Sequence, residues 1–226
     1  MPRIIDHIVI LTLPFFKNII FRLLEKYGEG LRYNFVFNQE ELNHVVTHDV
    51  GEKSLLISFG TGVLVRKELL DVFLAAYNFH PASPDYPGLD PHHFAIYDDV
   101  CYYGATCHVM EEKVDRGAIV VVERFPVEGS PNAMELLEMA LLKTFDLVDK
   151  IFCVIFEKNA LPQPCGEVWS HRLCTKAQRL QMCHMALSIS EEEFQKVYHA
   201  FQEGVERKNL TIELHGHLFR YEGKIS

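Results

Sequence analysis

An amide, an imidazole and a carboxylate stand at Asn78, His80 and Asp115. Gathered at one place, such groups can polarise a carbonyl, move a proton and orient the ring that moves it. Asn78 and His80 lie in Tyr-Asn-Phe-His-Pro-Ala-Ser-Pro-Asp-Tyr-Pro-Gly, residues 77–88, and Asp115 in Val-Asp-Arg-Gly, residues 114–117. Taken singly each has a plainer role: a strand-end cap at 78, a core or loop histidine at 80, a turn residue at 115. The spacing argues for more. Residues 75–79 read as a strand, and on a strand Asn78 and His80 project from one face. The Pro/Gly-rich loop that follows opens the strand's carboxyl end to solvent, where open α/β sheets place their ligands.

The elements that must position these groups alternate in type. Residues 8–13 are an apolar run stopped by Pro14, and residues 15–27 carry apolar side chains at helical spacing up to Gly28 and Gly30. Strand patterns recur at 31–37, 54–59 and 75–79, with a short helix at 66–73. This alternation predicts parallel β-structure with crossover helices. Residues 39–53 show only a weak helical pattern, which makes the first sixty residues short and irregular for such a fold. Further on, residues 92–97 read as a helix, 103–110 and 118–127 as strands, and 132–155 as a long amphipathic helix capped by Asn132. Residues 159–167, with two prolines and a glycine, are the linker candidate. Beyond them Ser190 and Glu193 predict a capping box, and 210–214 with 217–221 a hairpin around His215-Gly216.

Length suits one full-sized core with a small appendage. The net charge of −9 lacks the electrostatic footprint of a nucleic-acid binder. Arg172, Lys176 and Arg179 are the one modest basic candidate and read as a solvated helical face. No apolar run approaches the ~20 residues of a membrane helix, and no secretory pattern follows residues 1–7. The expectation is a cytoplasmic protein without membrane or nucleic-acid partners. The six cysteines, at 101, 107, 153, 165, 174 and 183, form no Cys-x-x-Cys pair and read as buried reduced thiols, with no metal site. The first turn after a strand, residues 11–18, has no glycine, so neither a dinucleotide fingerprint nor a P-loop is present. Gly60-Thr-Gly62 is too short to count as either.

From Asn78-x-His80-Pro-x-Ser83 onward the chain resembles the 10-formyltetrahydrofolate-dependent formyltransferase family. The signature continues through Tyr86-Pro-Gly88-Leu, His92, Gly104-x-Thr106-x-His108 and Asp115-x-Gly117. Each piece alone is weak; their order and spacing together are strong. The likeness covers about residues 58–127, and the loop between His80 and Gly88 looks one residue shorter than in relatives. It implies an α/β, Rossmann-like formyltransferase fold with a mostly parallel twisted sheet, plus a small C-terminal helix-and-hairpin extension. Residues 1–158 would be the catalytic domain and 159–226 the extension. The resemblance also implies that Asn78 stabilises the formyl oxygen, that His80 assists as electrophile or proton donor, and that Asp115 orients His80 and takes part in proton transfer. Gly62, Val63 and Leu64, with Glu111, Glu112 and Val114 of the loop before Asp115, would cradle the folate; His108 would support them. The co-substrate would be 10-formyltetrahydrofolate, with no metal.

The acceptor is less legible. Relatives acting on glycinamide ribonucleotide hold a phosphate on a Gly/Ser-rich first loop, here Leu13-Pro-Phe-Phe-Lys. Relatives acting on initiator tRNA carry a longer basic second domain, and the hydrolases of the group an extra N-terminal domain for which 226 residues leave no room. A small-molecule amine remains, first a nucleotide-linked amino sugar, then an amino acid or siderophore-type amine. The other classes are a non-catalytic folate-binding relic and a subunit that needs a partner. Trp169, the only tryptophan, reads as a core or rim anchor that can also stack on an acceptor. His92 and His93 read as helix-start or loop residues, His215 and His217 as hairpin surface, Tyr102 and Tyr103 as packing residues. Phe194, Val197, Phe201 and Leu218 point to a homodimer contact through the C-terminal helix and hairpin.

Overall fold

Strands β1 (His7–Thr12) and β3 (Ser54–Phe59) bury all six of their residues, the pattern of central strands covered on both sheet faces. They belong to a computed structural model that describes residues 2–27, 30–202 and 209–222. Gly28, expected at the first helix end, and parts of the expected C-terminal extension (203–208 and 223–226) lie outside the described residues.

The main sheet adds β2 (Arg32–Val36), β4 (Ala75–His80), β5 (Tyr102–Val109) and β6 (Ile119–Pro126), in the order β2-β1-β3-β4-β5-β6. The first four are mutually parallel, and β5 runs antiparallel to both β4 and β6. Residues 110–118 join β5 to β6 without a crossover helix, so that pair must be antiparallel. The fold is the mixed, largely parallel α/β sheet expected.

Alternation along the strands assigns the two faces. Ile8, Ile10, Leu55, Ile57, Tyr77 and Phe79 pack with Ile20 and Leu24 of α1 (Lys17–Glu25) and with Leu147, Val148 and Ile151 of α5 (Ala133–Phe152). Val9, Leu11, Leu56 and Ala76 face the other way, onto Leu42 and Val45 of α2 (Gln39–His48) and Leu70 of α3 (Lys67–Leu70). Each such fully buried aliphatic side chain contributes about 1.5–3 kcal/mol. By the two-residue period Asn78 and His80 share the α2–α3 face with Ala76. At the opposite end of the strands, His7 pins three of them: Nδ1 meets Ser54 Oγ at 2.9 Å and Nε2 meets Asn34 Oδ1 at 2.7 Å.

The elements β1, α1, β2, α2 and β3 follow one another as a regular β-α-β-α-β unit, against the expectation of an irregular first sixty residues. Helix α2 is capped by Asn38, which accepts from Glu41 N, while Glu41 reaches back to Phe37 N. It buries only Leu42 and Val45, so its apolar period is too sparse to read. The long helix starts at the predicted Asn132 with a full capping box and ends in a π-turn, Cys153–Glu157.

The C-terminal residues join a second apolar cluster that includes Tyr86, Phe94, Tyr103 and Leu136 on one side, and Cys183, Val197 and Phe201 on the other. It is built by α4 (Pro91–Tyr97), α6 (Lys176–Cys183) and α7 (Glu191–Phe201). Ser190 caps α7 by accepting from Glu193 N, but the Glu193 side chain bonds Tyr97 Oη instead of closing a capping box. Strands β7 (His184–Met185), β8 (Thr211–Leu214) and β9 (His217–Arg220) form a small sheet; its hairpin turns at His215-Gly216, both at positive φ.

Several expectations are corrected by partners distant in sequence. Arg179 is buried and paired with Asp90, and Arg172 pairs with Asp98 over the Tyr86 and Phe94 rings, so the basic trio is not one solvated face. Val197 and Phe201 are buried in the chain's own core and Phe194 packs against it, leaving Leu218 of the four exposed. Tyr103 is buried, but Tyr102 is exposed. Cys107, Cys174 and Cys183 are buried, whereas Cys101 and Cys165 are exposed and Cys153 half-buried. Among the described residues no helix is long and apolar enough to cross a membrane.

Candidate active site

The antiparallel β4–β5 pairing sets Asn78 directly opposite His108, and His80 opposite Thr106. Directly opposed residues share a face, so the register itself gathers an amide and two imidazoles. The β5–β6 register shifts between Cys107 and His108, a local irregularity of the kind that re-aims side chains beside functional sites. Asp115 reaches in from the β5–β6 loop with φ 46, a left-handed conformation uncommon outside glycine.

The carboxylate is the hub. Its Oδ2 accepts from Gly88 N at 2.8 Å and lies 3.5 Å from His80 Nδ1. Its Oδ1 lies 3.2 Å from His108 Nε2 and 3.5 Å from Asn78 Nδ2. Asn78 Nδ2 is also 3.0 Å from His108 Nε2. The remaining ring nitrogens face main-chain carbonyls: His80 Nε2 donates to Tyr86 O at 3.0 Å, and His108 Nδ1 to Val109 O at 2.8 Å. A carbonyl only accepts, so those nitrogens carry the proton of the neutral ring. Any second proton on either imidazole therefore sits on the nitrogen facing Asp115.

His80, His108 and Asp115 are all buried, while Asn78 is only partly so. Burial by itself pushes the Asp115 carboxyl up. The His80 charge, the His108 hydrogen bond and charge and the Gly88 N–H outweigh it and hold the group at about 2. The cluster is thus a fixed anion beneath two imidazoles, with the Asn78 amide at its open side. Such a group can donate to a developing oxyanion and pass a proton between partners.

The motif glycines have steric reasons. At Gly117 a Cβ would lie 1.9 Å from Val109 O, so the chain after Asp115 can pass β5 only without a side chain. Gly88 adopts φ +109, and its Cβ would lie 2.2 Å from Cys174 O. Residues beyond 159 close over this side. Trp169 Nε1 donates to Gly117 O at 2.8 Å, and its ring stands edge-to-face with His108 and His80. Arg116 donates to the carbonyls of Ser170 and Arg172. The carboxyl end of β4 is therefore roofed, not open. The expected linker at 159–167 has no regular structure but is tied down, by Tyr77 Oη to Pro162 O and Cys165 N to Ile119 O.

Of the expected folate contacts, Leu64 and Glu112 share a cleft of about 890 Å³ with Gln39, Asn43, Val65, Arg66, Glu68 and Leu69. Gly62 and Val63 precede Leu64, and the exposed Glu111 and Val114 flank Glu112, but none of these four lines the cleft. Asn78, His80, His108 and Asp115 do not line it either; they form a separate, tighter cluster. His92 and His93 lie at the start of α4 as expected, both buried. Sequence reasoning missed Arg116, although it is the middle residue of the Asp-x-Gly motif, and it gave Tyr86 no role for its carbonyl.

Residues 18–143 match the family model described as formyl transferase, over half of the 226 residues. The chain belongs to the formyl transferase family. The match takes in Asn78, His80, His108 and Asp115. A methionyl-tRNA formyltransferase of Borrelia duttonii is 30% identical over 99 residues, 43% of this chain and 32% of that protein. The match thus spans about a third of that curated relative's length. A 4-N formyltransferase from Francisella tularensis superposes with TM-score 0.78 at 17% identity, covering 100% of this chain and 99% of the other. An N-formyltransferase from Helicobacter canadensis, solved with folinic acid and dTDP-3-aminofucose, gives TM-score 0.67 at 14% identity over 94% and 85% of the two chains. At those identities the likeness speaks for the fold.

Proposed function

We propose that this chain transfers a formyl group from 10-formyltetrahydrofolate to the primary amine of a small molecule, in first place a nucleotide-linked amino sugar, in the cytoplasm. The observation that carries the reading is the convergence of Asn78, His80 and His108 on the buried Asp115 carboxylate. In this reading Asn78 Nδ2 donates to the formyl oxygen as the amine adds to the carbon, stabilising the tetrahedral oxyanion. The Asp115–imidazole cluster takes the proton that the amine loses and returns one to the departing folate nitrogen. The new C–N bond to the acceptor forms, the bond to folate breaks, and the proton count closes without a metal.

The cleft beside Leu64 suits the co-substrate. Its volume is that of a small-molecule site, and it sets an apolar wall of Leu64, Val65 and Leu69 beside the amides of Gln39 and Asn43 and the Arg66 guanidinium. The adjoining segments with Gly62, Val63, Glu111 and Val114 are the proposed cradle.

For the acceptor, the fold shared over most of both chains with the Helicobacter canadensis N-formyltransferase solved with dTDP-3-aminofucose favours a nucleotide-linked amino sugar. The match to a methionyl-tRNA formyltransferase covers only part of that protein, and the charge of −9 disfavours RNA. A second copy could pair along β9, whose four residues are exposed, Leu218 and Phe219 at 57% and 55%; sedimentation as a monomer removes that part of the reading. The test of the reaction is tetrahydrofolate release from 10-formyltetrahydrofolate with a panel of amines. Transfer to an amino-sugar nucleotide is expected. Folate binding without transfer to any amine, unchanged in His80→Ala, contradicts it.

A further inference from the structure

Trp169 lies outside the residues assigned to the reaction, yet it touches both histidines. Its ring centroid is 5.1 Å from that of His108, with the planes at 88°, and 5.9 Å from that of His80, at 67°. Both are edge-to-face contacts of the kind that fix aromatic rings against one another. The indole N–H is spent on Gly117 O, two residues beyond Asp115. The indole therefore spans the three segments that bring the cluster together: β4 through His80, β5 through His108, and the β5–β6 loop through Gly117.

The segment that carries it is built in. Ser170 N donates to Pro84 O at 3.0 Å and Ser170 Oγ to Asp85 O at 2.7 Å. Cys174 N donates to Pro87 O at 2.7 Å, and Leu89 N to Cys174 O at 2.8 Å. Arg116 holds the Ser170 and Arg172 carbonyls, and Glu167 makes a two-pronged ion pair with Arg124 of β6. These bonds hold a strap across the Tyr86-Pro87-Gly88 turn and the Asp115 loop. Around it these contacts place His80 and His108 against the ring, with Arg116 and the Arg124–Glu167 pair along the strap.

Each imidazole must keep one nitrogen on a carbonyl and the other toward Asp115, and a ring that swings by tens of degrees loses both. A wall against both rings prevents that swing. We infer that Trp169 is a positioning residue, holding His80 and His108 turned toward Asp115, and that residues 167–174 complete the site from the C-terminal side. The consequence for turnover rests on the formyl-transfer reading; the consequence for the histidines does not.

Two measurements on the full chain separate them. Trp169 is the only tryptophan, so its emission reports on the rings it touches. At a fixed pH, His80→Ala and His108→Ala should each change the emission intensity. An emission spectrum unchanged by both substitutions overturns the contact. In the second, Trp169→Ala should lower kcat ~10-fold or more with each KM within about three-fold, as expected for misaligned groups. Trp169→Phe, which keeps an aromatic wall, should recover most of the loss. A Trp169→Ala enzyme with unchanged kcat, or one altered only in acceptor KM, overturns the positioning role and leaves the reaction intact. If Trp169→Ala does not fold, Trp169→Phe and the emission spectra carry the test. A wild-type chain that transfers no formyl group yet shows the histidine-dependent emission sinks the reaction and keeps the clamp.

Discussion

Asn78 on β4 stands directly across from His108 on β5, its amide nitrogen 3.0 Å from the imidazole Nε2. That one register relation explains why an amide from one strand and a histidine thirty residues on can serve a single carboxylate. The two are neighbours on the face that also holds His80 and receives Asp115, so the backbone pairing sets the geometry before any side-chain contact does.

His80 and Asp115 should act as a unit. His80→Ala and Asp115→Ala should each lower turnover strongly, and the double variant should be little worse than the weaker single one. Steady-state kcat for the three variants checks this. Losses that simply multiply would contradict a shared proton path.

Asp115 should also leave a mark on acid stability. Its carboxyl is held at about 2 against an ordinary 3.8, so the folded state binds the proton less readily than the unfolded one. The contribution, on the order of 2 kcal/mol, is complete above about pH 4 and is lost as the pH falls toward 2. Urea titrations of wild type and Asp115→Asn across that window should converge at the acid end. Parallel curves would remove the assignment.

His92 makes a separate prediction at milder pH. Burial, and then the charges of His93, Arg179 and His80, lower it from 6.5 to about 3, and among the described residues its Nδ1 has no hydrogen-bond partner. The folded protein keeps it neutral while the unfolded chain protonates, so stability should be full above pH 6.5 and decline as the pH falls toward 3. His92→Phe should flatten that slope. A slope unchanged by the substitution would assign it to other groups.

How much of this was legible follows from distance along the chain. The Asn78–His80 pair could be read because a strand repeats every two residues, and Asp115 because Asp-x-Gly completes the family pattern; the structure adds the reason for that glycine, since a Cβ at 117 would meet Val109 O. His108 was in view as a motif residue, but its place needed the β4–β5 register. The burial of Arg179 was not legible, since its partner Asp90 is 89 positions away. Nor was Trp169 over the histidines, because the strap that carries it has no periodic pattern. Helix α2 escaped for a local reason: two buried side chains in ten leave almost no apolar period.

Gly117→Ala should therefore be among the most damaging small substitutions. The added methyl collides with backbone at 1.9 Å, which no rotamer relieves. A loss of about 3 kcal/mol is expected, with activity falling alongside because Asp115 and the Trp169 acceptor carbonyl shift together. Thermal unfolding within a degree or two of wild type would refute the close approach.

The central claim is that Asn78 supplies the oxyanion donor for formyl transfer from folate. Its most direct test is the kcat of tetrahydrofolate release for Asn78→Ala against wild type, with an amino-sugar nucleotide as acceptor and folate affinity measured in parallel. A fall of about 100-fold or more at nearly unchanged folate affinity is predicted; turnover within a few-fold of wild type would contradict it.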